Sequence, residues 1–310
     1  MEPTELEMKL MTTDQDGESR TALAEEQTKD LDLEGLPIEV LVADIDSVLE
    51  KSNEEFALIR KQGLGGSDSS AVLGVNPYNS RTSLIQEKSR DKLTQEEKEV
   101  GDKVAVRKGR DLEPIIIQKA SKFFKYDVFK PKDMYRFKDA PWLTMNFDGV
   151  AQEEDGQYFP VEIKVVTLYG QKHYDFNKAM FDEAVGMKNI PINYAMSEIN
   201  TVETKALQYG IPPYYYTQLQ QEMMALDAPY GLLSVLRDSD WRFFTFYIHK
   251  DPYVQSRIIT EGYKVWEEVV KLNPDRKIEG IWCKNQSHRK NKALESNLGL
   301  FYFCLDIFIV

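Results

Sequence analysis

Cysteine is nearly absent: the 310 residues hold only Cys283 and Cys304. Two thiols build neither a disulfide framework nor a four-thiolate metal or iron–sulfur site, and they suit free thiols in a reducing cytosol. No run of about 18 apolar residues occurs, so nothing in the sequence reads as a membrane span. The N-terminus, Met1-Glu2-Pro3-Thr4-Glu5, lacks the basic-then-apolar pattern of a secretory signal, and a cytoplasmic location is expected. Histidine is scarce, and His173, His249 and His288 are scattered without zinc spacing. There is no G-x-S-x-G elbow, no dinucleotide fingerprint and no G-K-[ST], which excludes an α/β-hydrolase nucleophile, a Rossmann site and a nucleotide-hydrolysing P-loop.

An excess of positive charge is missing too. The formal net charge is −12, which taken alone argues against nucleic acid as a partner. The acids are concentrated, however: residues 1–36 carry eleven acids against three bases, a net of −8 that leaves −4 for the rest. Charge is therefore neutral on DNA binding. The acidic segment reads as a disordered or weakly helical leader. The chain divides into a leader, 1–50, a globular domain, 51–275, and a tail, 276–310, that is first basic and then apolar. The apolar end, Leu298 to Val310, suits a final strand or an oligomer contact.

What is present is a mixed series of helical and strand patterns. A helix through Phe56–Arg60 ends at Gly63-Leu64-Gly65-Gly66, and Ser67 is placed to cap a short helix from Asp68 to Leu73. Residues 99–126 read as helix broken at Gly109 and Pro114, and 127–138, 144–153 and 157–166 read as strands. Residues 171–209 read as helix and loop. A helix from Tyr214 to Leu226, strands near 231–237 and 241–249, and a helix from Pro252 to Lys271 complete one mixed α/β domain.

The chemistry concentrates on one hairpin. In Val161-Glu162-Ile163-Lys164-Val165 the period of two puts Glu162 and Lys164 on one face and the aliphatics on the other. A three-residue loop, Glu154-Asp155-Gly156, pairs Glu153 with Gln157 and therefore Asp148 with Glu162, about 5 Å apart at Cβ. A two-residue Asp155-Gly156 turn would instead send the two carboxylates to opposite faces. Two facing carboxylates repel unless a cation lies between them, and their oxygens suit Mg²⁺ or Mn²⁺. Lys164 beside them would orient or deprotonate a water, a combination suited to phosphodiester hydrolysis. Glu and Lys alternating along a strand equally describe a solvated face, and Pro160 requires a free strand side or a bulge. Independently, a Ser at a helix start with the amides of Gly65 and Gly66 makes an anion site. The run Tyr214-Tyr215-Tyr216 suits either core packing or stacking on unpaired bases.

Five stretches in order carry a resemblance: Leu64-Gly65-Gly66-Ser67-Asp68 with Ala71-Val72-Leu73-Gly74 and Asn76-Pro77-Tyr78; Gly109-Arg110-Asp111-Leu112-Glu113-Pro114; Asn146-Phe147-Asp148-Gly149; Val161-Glu162-Ile163-Lys164; and Tyr215-Tyr216-Thr217-Gln218-Leu219-Gln220. Over about residues 56–250 the chain resembles the YqaJ-like phage recombinases, relatives of lambda exonuclease among the PD-(D/E)xK nucleases. It departs from the superfamily's name at Phe147, where a Pro is expected.

The resemblance implies a restriction-endonuclease-like core, a central mixed sheet flanked by helices. It implies two Mg²⁺ (or Mn²⁺) ions, one on Asp148, Glu162 and the Ile163 carbonyl, the second near Glu113. Lys164 becomes the catalytic lysine and Gln220 the glutamine that positions water or phosphate. Arg60 and Ser67, seven residues apart, would join the Gly65 and Gly66 amides on a DNA phosphate. The implied activity is 5′→3′ exonuclease action on the ends of linear double-stranded DNA, leaving a 3′ single strand. The implied partners are the other subunits of a ring-shaped homotrimer and a single-strand annealing protein of phage recombination. The alternatives are a PD-(D/E)xK endonuclease, a Cas4-like nuclease (disfavoured for want of four cysteines) and a catalytically silent DNA-binding assembly protein.

Overall fold

The computed structural model describes residues 28–100, 103–188 and 201–277. The first elements are β1 (Thr28–Lys29), β2 (Ile38–Val42), α1 (Ile45–Lys51) and α2 (Asn53–Arg60). Asp44 caps α1 by accepting the Ser47 N–H, and Ser52 caps α2 by accepting that of Glu55. Ile38 and Ile45 are fully buried. Residues 28–50 thus belong to the fold and not to the leader: the sequence Ile-Glu-Val-Leu-Val is too short to announce itself, yet it finds a partner strand far along the chain. The leader's first 27 residues and everything after 277, including Cys283, Cys304 and the apolar end, lie outside the described residues.

After the glycine turn come a 3₁₀ turn, Gly66–Asp68, and the short α3 (Ser69–Val72). Asn76 then closes a side-chain turn onto the Tyr78 and Asn79 N–H groups. Two further helices, α4 (Arg81–Ser89) and α5 (Gln95–Glu99), lead to α6 (Val104–Phe124). The expected interruptions at Gly109 and Pro114 do not occur; α6 runs through both for 21 residues. Burial explains the difference. An interior proline costs about 3 kcal/mol, whereas Ile115, Ile116 and Ile117 are all buried, at roughly 1.5–3 kcal/mol each.

The remaining strands are β3 (Lys130–Pro131), β4 (Met134–Phe137), β5 (Thr144–Met145), β6 (Val150–Gln152), β7 (Tyr158–Val166), β8 (Phe181–Asp182), β9 (Gly186–Met187), β10 (Tyr230–Arg237) and β11 (Arg242–His249). Three more helices, α7 (Val202–Tyr209), α8 (Pro213–Ala225) and α9 (Pro252–Leu272), complete the described chain. The main sheet has the order β6-β7-β10-β11-β8-β9, with β7 and β10 parallel and the other pairs antiparallel; β2-β4-β5 form a smaller sheet. Both α6 and α8 pack on β7 and β10. The fold is mixed α/β, as expected. The segment read as helix and loop also supplies β8 and β9, which extend the sheet edge and are too short to carry a periodic signal.

Pro160 finds the free side it requires. Val161 donates to Gly149 and Glu153 to Gln157, so odd-numbered amides of β7 face β6. The Pro160 nitrogen therefore faces β10, whose pairing begins only at Val161 and Leu232. Among the described residues no helix is long and apolar enough to cross a membrane.

Pro114→Ala restores the N–H that the Arg110 carbonyl lacks. It is expected to raise stability by about 1–3 kcal/mol, measured as a higher urea midpoint at unchanged slope; an unchanged or lower midpoint would show that the packing requires the proline.

Candidate active site

The loop geometry decides whether the carboxylates meet, and it takes the form that brings them together. Gly156 sits at φ +93°, its N–H donates to Glu153, and Glu153 pairs with Gln157 across a three-residue loop. Val150, Ala151 and Gln152 then oppose Pro160, Phe159 and Tyr158. Asp148 is not itself in a strand: the expected strand 144–153 is broken between β5 and β6, and Asp148 stands in the gap. Gly149 lets that gap close on β7, since a Cβ there would lie 3.0 Å from the Val161 carbonyl oxygen. One Asp148 oxygen accepts from Lys164 Nζ at 2.7 Å and from the Ile163 N–H at 3.4 Å.

Lys164 is the hub. Its ammonium contacts Asp148 and, closely, Glu162. Lys164 and Asp148 keep 23% and 21% of their side-chain exposure while Glu162 has none, so the group opens to solvent on the Lys164–Asp148 side. Glu113, on α6, completes the group through Lys130, whose Nζ lies 3.2 Å from both Glu113 and Asp46. Burial alone would raise the Asp148 carboxyl, but the Lys164 charge and hydrogen bond, with Lys130 and the Ile163 N–H, hold it below the usual range. Burial, and then Asp148, push Glu162 up to about 7. Burial likewise raises Glu113. Against burial, which would lower it, Asp148 and Glu162 hold Lys164 well above its ordinary value.

The helix behind the hairpin is α8, and it does not present Gln220. That side chain is fully buried on the opposite side: its Nε2 donates to the His249 carbonyl at 2.8 Å and its Oε1 accepts the Asp251 N–H at 2.8 Å. The residues facing the hairpin are Gln218 and Glu222. Gln218 Nε2 donates to Glu222 Oε1 at 3.0 Å, and the Glu222 carboxyl meets that of Glu162. Burial, with Glu162 and Asp148, raises Glu222 well above its ordinary value. At about 100° per residue, two positions from Gln218 to Gln220 turn the side chain by about 200°. The spacing of Tyr215, Gln218 and Glu222 was the available signal for one helix face.

Arg60 and Ser67 meet as expected, the guanidinium donating to the Ser67 hydroxyl at 2.8 Å, and both are exposed. The Gly65 amide does not join them. The Gly65 N–H is taken by Asp68 Oδ2 at 2.9 Å. Gly66 is packed against α8, where a Cβ would approach Gln218 Cγ to 3.3 Å. Nor is Ser67 the helix cap; it lies within the 3₁₀ turn. Asp68 displaces both expectations because buried Lys88 pairs with it at 2.7 Å while donating to the Arg60 carbonyl at 2.9 Å. That contact fastens the end of α2 to the turn.

The model of the YqaJ-like viral recombinase domain matches residues 55–228. The chain belongs to the YqaJ-like viral recombinase family. No curated protein sequence is detectably similar to it. Among solved structures it is similar to an alkaline exonuclease (LHK-Exo) from Laribacter hongkongensis at 15% identity and a TM-score of 0.43, covering 76% of this chain and 96% of that one. The same enzyme in complex with dAMP matches at 15% identity and 0.43, covering 78% and 100%. That likeness is too distant to carry residues or activity across. The matched YqaJ-like segment contains Arg60, Ser67, Glu113, Asp148, Glu162, Lys164, Gln218, Gln220 and Glu222, while Asp46 precedes it.

The YqaJ-like site has an all-oxygen donor set. Among the described residues no three His, Cys, Asp or Glu side chains stand close enough to form a ready metal cage; lysine ammoniums hold the carboxylates instead. Both Glu162 oxygens are nevertheless shut from solvent without a hydrogen-bond partner of good geometry. A buried carboxylate left so, facing a second carboxyl, fits a hard divalent cation.

Gln220→Ala leaves the Asp251 N–H and His249 carbonyl unsatisfied. It is expected to lower stability by about 1–3 kcal/mol in urea titration with turnover per folded molecule kept. Gln218→Ala is expected to do the reverse; a stability loss confined to Gln218→Ala would contradict this arrangement.

Proposed function

We propose that this chain is a metal-dependent exonuclease that digests linear double-stranded DNA from 5′ to 3′ and leaves a 3′ single strand for annealing-type recombination. The observation that carries the reading is the contact of Lys164 with both Asp148 and Glu162, on a hairpin whose register makes them meet. Membership of the YqaJ-like family supports a lambda-exonuclease-like nuclease. End dependence, polarity and product are carried by the family resemblance.

The donor set suits Mg²⁺ or Mn²⁺ on Asp148, Glu162 and the Ile163 carbonyl, with a second ion beside Glu113. When bound, such ions supply water activation and neutralise charge on the phosphoryl group. The chain's own residues do the rest. Arg60 and Ser67, exposed and already hydrogen-bonded, offer a guanidinium and a hydroxyl to a DNA phosphate. Lys164, in contact with both carboxylates on the side that opens to solvent, would balance charge on the phosphoryl oxygens and orient or deprotonate the water. Gln218 fixes Glu222, and Glu222 in turn limits where Glu162 can lie. A ring-shaped homotrimer and a single-strand annealing protein complete the proposal.

A 5′-phosphorylated linear duplex incubated with the protein and Mg²⁺ is expected to be digested, while covalently closed circular DNA is spared. Glu162→Ala and Lys164→Ala are each expected to slow digestion by at least about 100-fold. An intact linear duplex, or full activity in both variants, overturns the nuclease reading; cutting of the closed circle replaces it with an endonuclease.

A further inference from the structure

Lys130 stands where two distant parts of the chain bring acids together. Its Nζ lies 3.2 Å from a Glu113 oxygen and 3.2 Å from an Asp46 oxygen. The three side chains keep 20%, 22% and 25% of their exposure, so the group is open to ions from solvent. Backbone contacts hold Asp46 there. At the start of α1 the Ile45 N–H donates to the Lys132 carbonyl at 2.8 Å, and the Asp44 N–H donates to Asp133 Oδ1 at 2.8 Å. Ile45 itself is fully buried. The first turn of α1 is thereby fastened to the residues just after Lys130, which sets Asp46 against the ammonium. Glu113 is fixed from the other side by α6, whose Leu112 and Ile116 are buried. The Asp148 charge bears on both Glu113 and Lys130, so this group and the hairpin carboxylates share one field. Asp46 precedes the segment matched by the YqaJ-like model, and its part is not one that the family match carries.

Glu113 is the acid beside which the metal-dependent reading puts a second ion. The cation beside it in the structure is Lys130. A divalent ion that takes a Glu113 oxygen therefore meets an ammonium of like sign at close range. Asp46 relieves that conflict, because it offers the same ammonium a second carboxylate at the same distance. A lysine carries its charge on a flexible four-carbon stem and is able to turn from one acid to the other. We propose that Lys130 is the resident counter-cation of Glu113, and that Asp46 is the carboxylate that keeps it when a divalent ion takes Glu113. Lys130 and Asp46 are then positioning residues that set how readily the second ion enters. The assignment rests on the metal-dependent reading of the neighbouring carboxylates and adds what controls the second ion.

The test titrates Mn²⁺ into the full chain without DNA and follows the free ion by electron paramagnetic resonance. The wild type is expected to show two classes of site, the weaker about tenfold or more above the tighter in Kd, since Glu113 offers one carboxylate where the hairpin offers two. Glu113→Gln is expected to remove the weaker class, which identifies it. Lys130→Met is expected to tighten that class about tenfold, and Asp46→Asn to weaken it about tenfold. In a Lys130→Met background, Asp46→Asn is expected to change nothing further. Lys130→Gln serves as a second variant, and urea midpoints establish that each variant is folded. A single class in the wild type, or a weaker class untouched by both Lys130 variants, overturns the proposal. So does an Asp46→Asn effect of equal size in both backgrounds, which would make Asp46 a ligand of the ion itself. Digestion of linear duplex in Mg²⁺ is run in parallel. Digestion with an unshifted weaker class overturns the Lys130 assignment alone, whereas the expected shifts without digestion support that assignment and remove the nuclease reading.

Discussion

The burial of one carboxylate sets the terms for everything around it. Glu162 has no solvent exposure and lies in a nine-residue strand between the β6 hairpin arm and β10. An ion so placed cannot be left alone, since the effective penalty of burying a charge is several kcal/mol. The fold answers in two ways. Lys164 supplies a permanent counter-charge two residues along the same strand face, and Asp148 is brought against that ammonium by the bend at Gly149. Glu222 is then tolerated only because burial and the neighbouring acids favour its neutral form, which is able to donate towards Glu162. Remove the positive charge and three acids would face one another around a fully buried Glu162. Lysines and carboxylates here are one electrostatic unit, and none of its members has an independent energy.

Much of this was legible in the residues. The register sum that pairs Asp148 with Glu162 follows from strand periodicity and a loop ending in glycine, two local rules that the tertiary structure had no reason to override. The helices at Asn53–Arg60, Pro213–Ala225 and Pro252–Leu272 were legible for the same reason, since their start signals, the Ser52 cap of the first and the leading prolines of the other two, are local. Illegible features depend on remote contacts. The two-residue strands β8 and β9 have no period at all. Pro114 reads locally as a breaker and is overruled by three buried isoleucines. The Gly65 amide looks free until Asp68 turns back on it, which in turn depends on Lys88 arriving from another helix.

Gln220 shows a different limit. A motif fixes a stretch of helix but not the rotation of that helix about its axis, and adjacent glutamines at 218, 220 and 221 point in three directions. Gln218 turns to Glu222, Gln220 to the end of β11, and Gln221 to the Leu64 and Thr144 carbonyls at 3.1 and 3.2 Å. Choosing among them from sequence requires the companion residues on the same face, here Tyr215 and Glu222, to be weighed together.

That division of labour makes α8 more than a wall. One face fixes Glu162 through Gln218 and Glu222 and lines a cleft through Tyr214 and Tyr215. Its Gln221 holds the turn that presents Ser67, and through Thr144 the strand that runs into the Asp148 bend. The turn carrying Ser67, the acid pair and the cleft lined by Tyr78, Tyr169, Tyr214 and Tyr215 are therefore registered against a single rigid body. A shift of α8 along or about its axis would displace all three together. A substitution that only loosens α8 should thus disturb the Ser67 turn and the carboxylate geometry in parallel, whereas one confined to an exposed ring at the cleft rim should leave both in place.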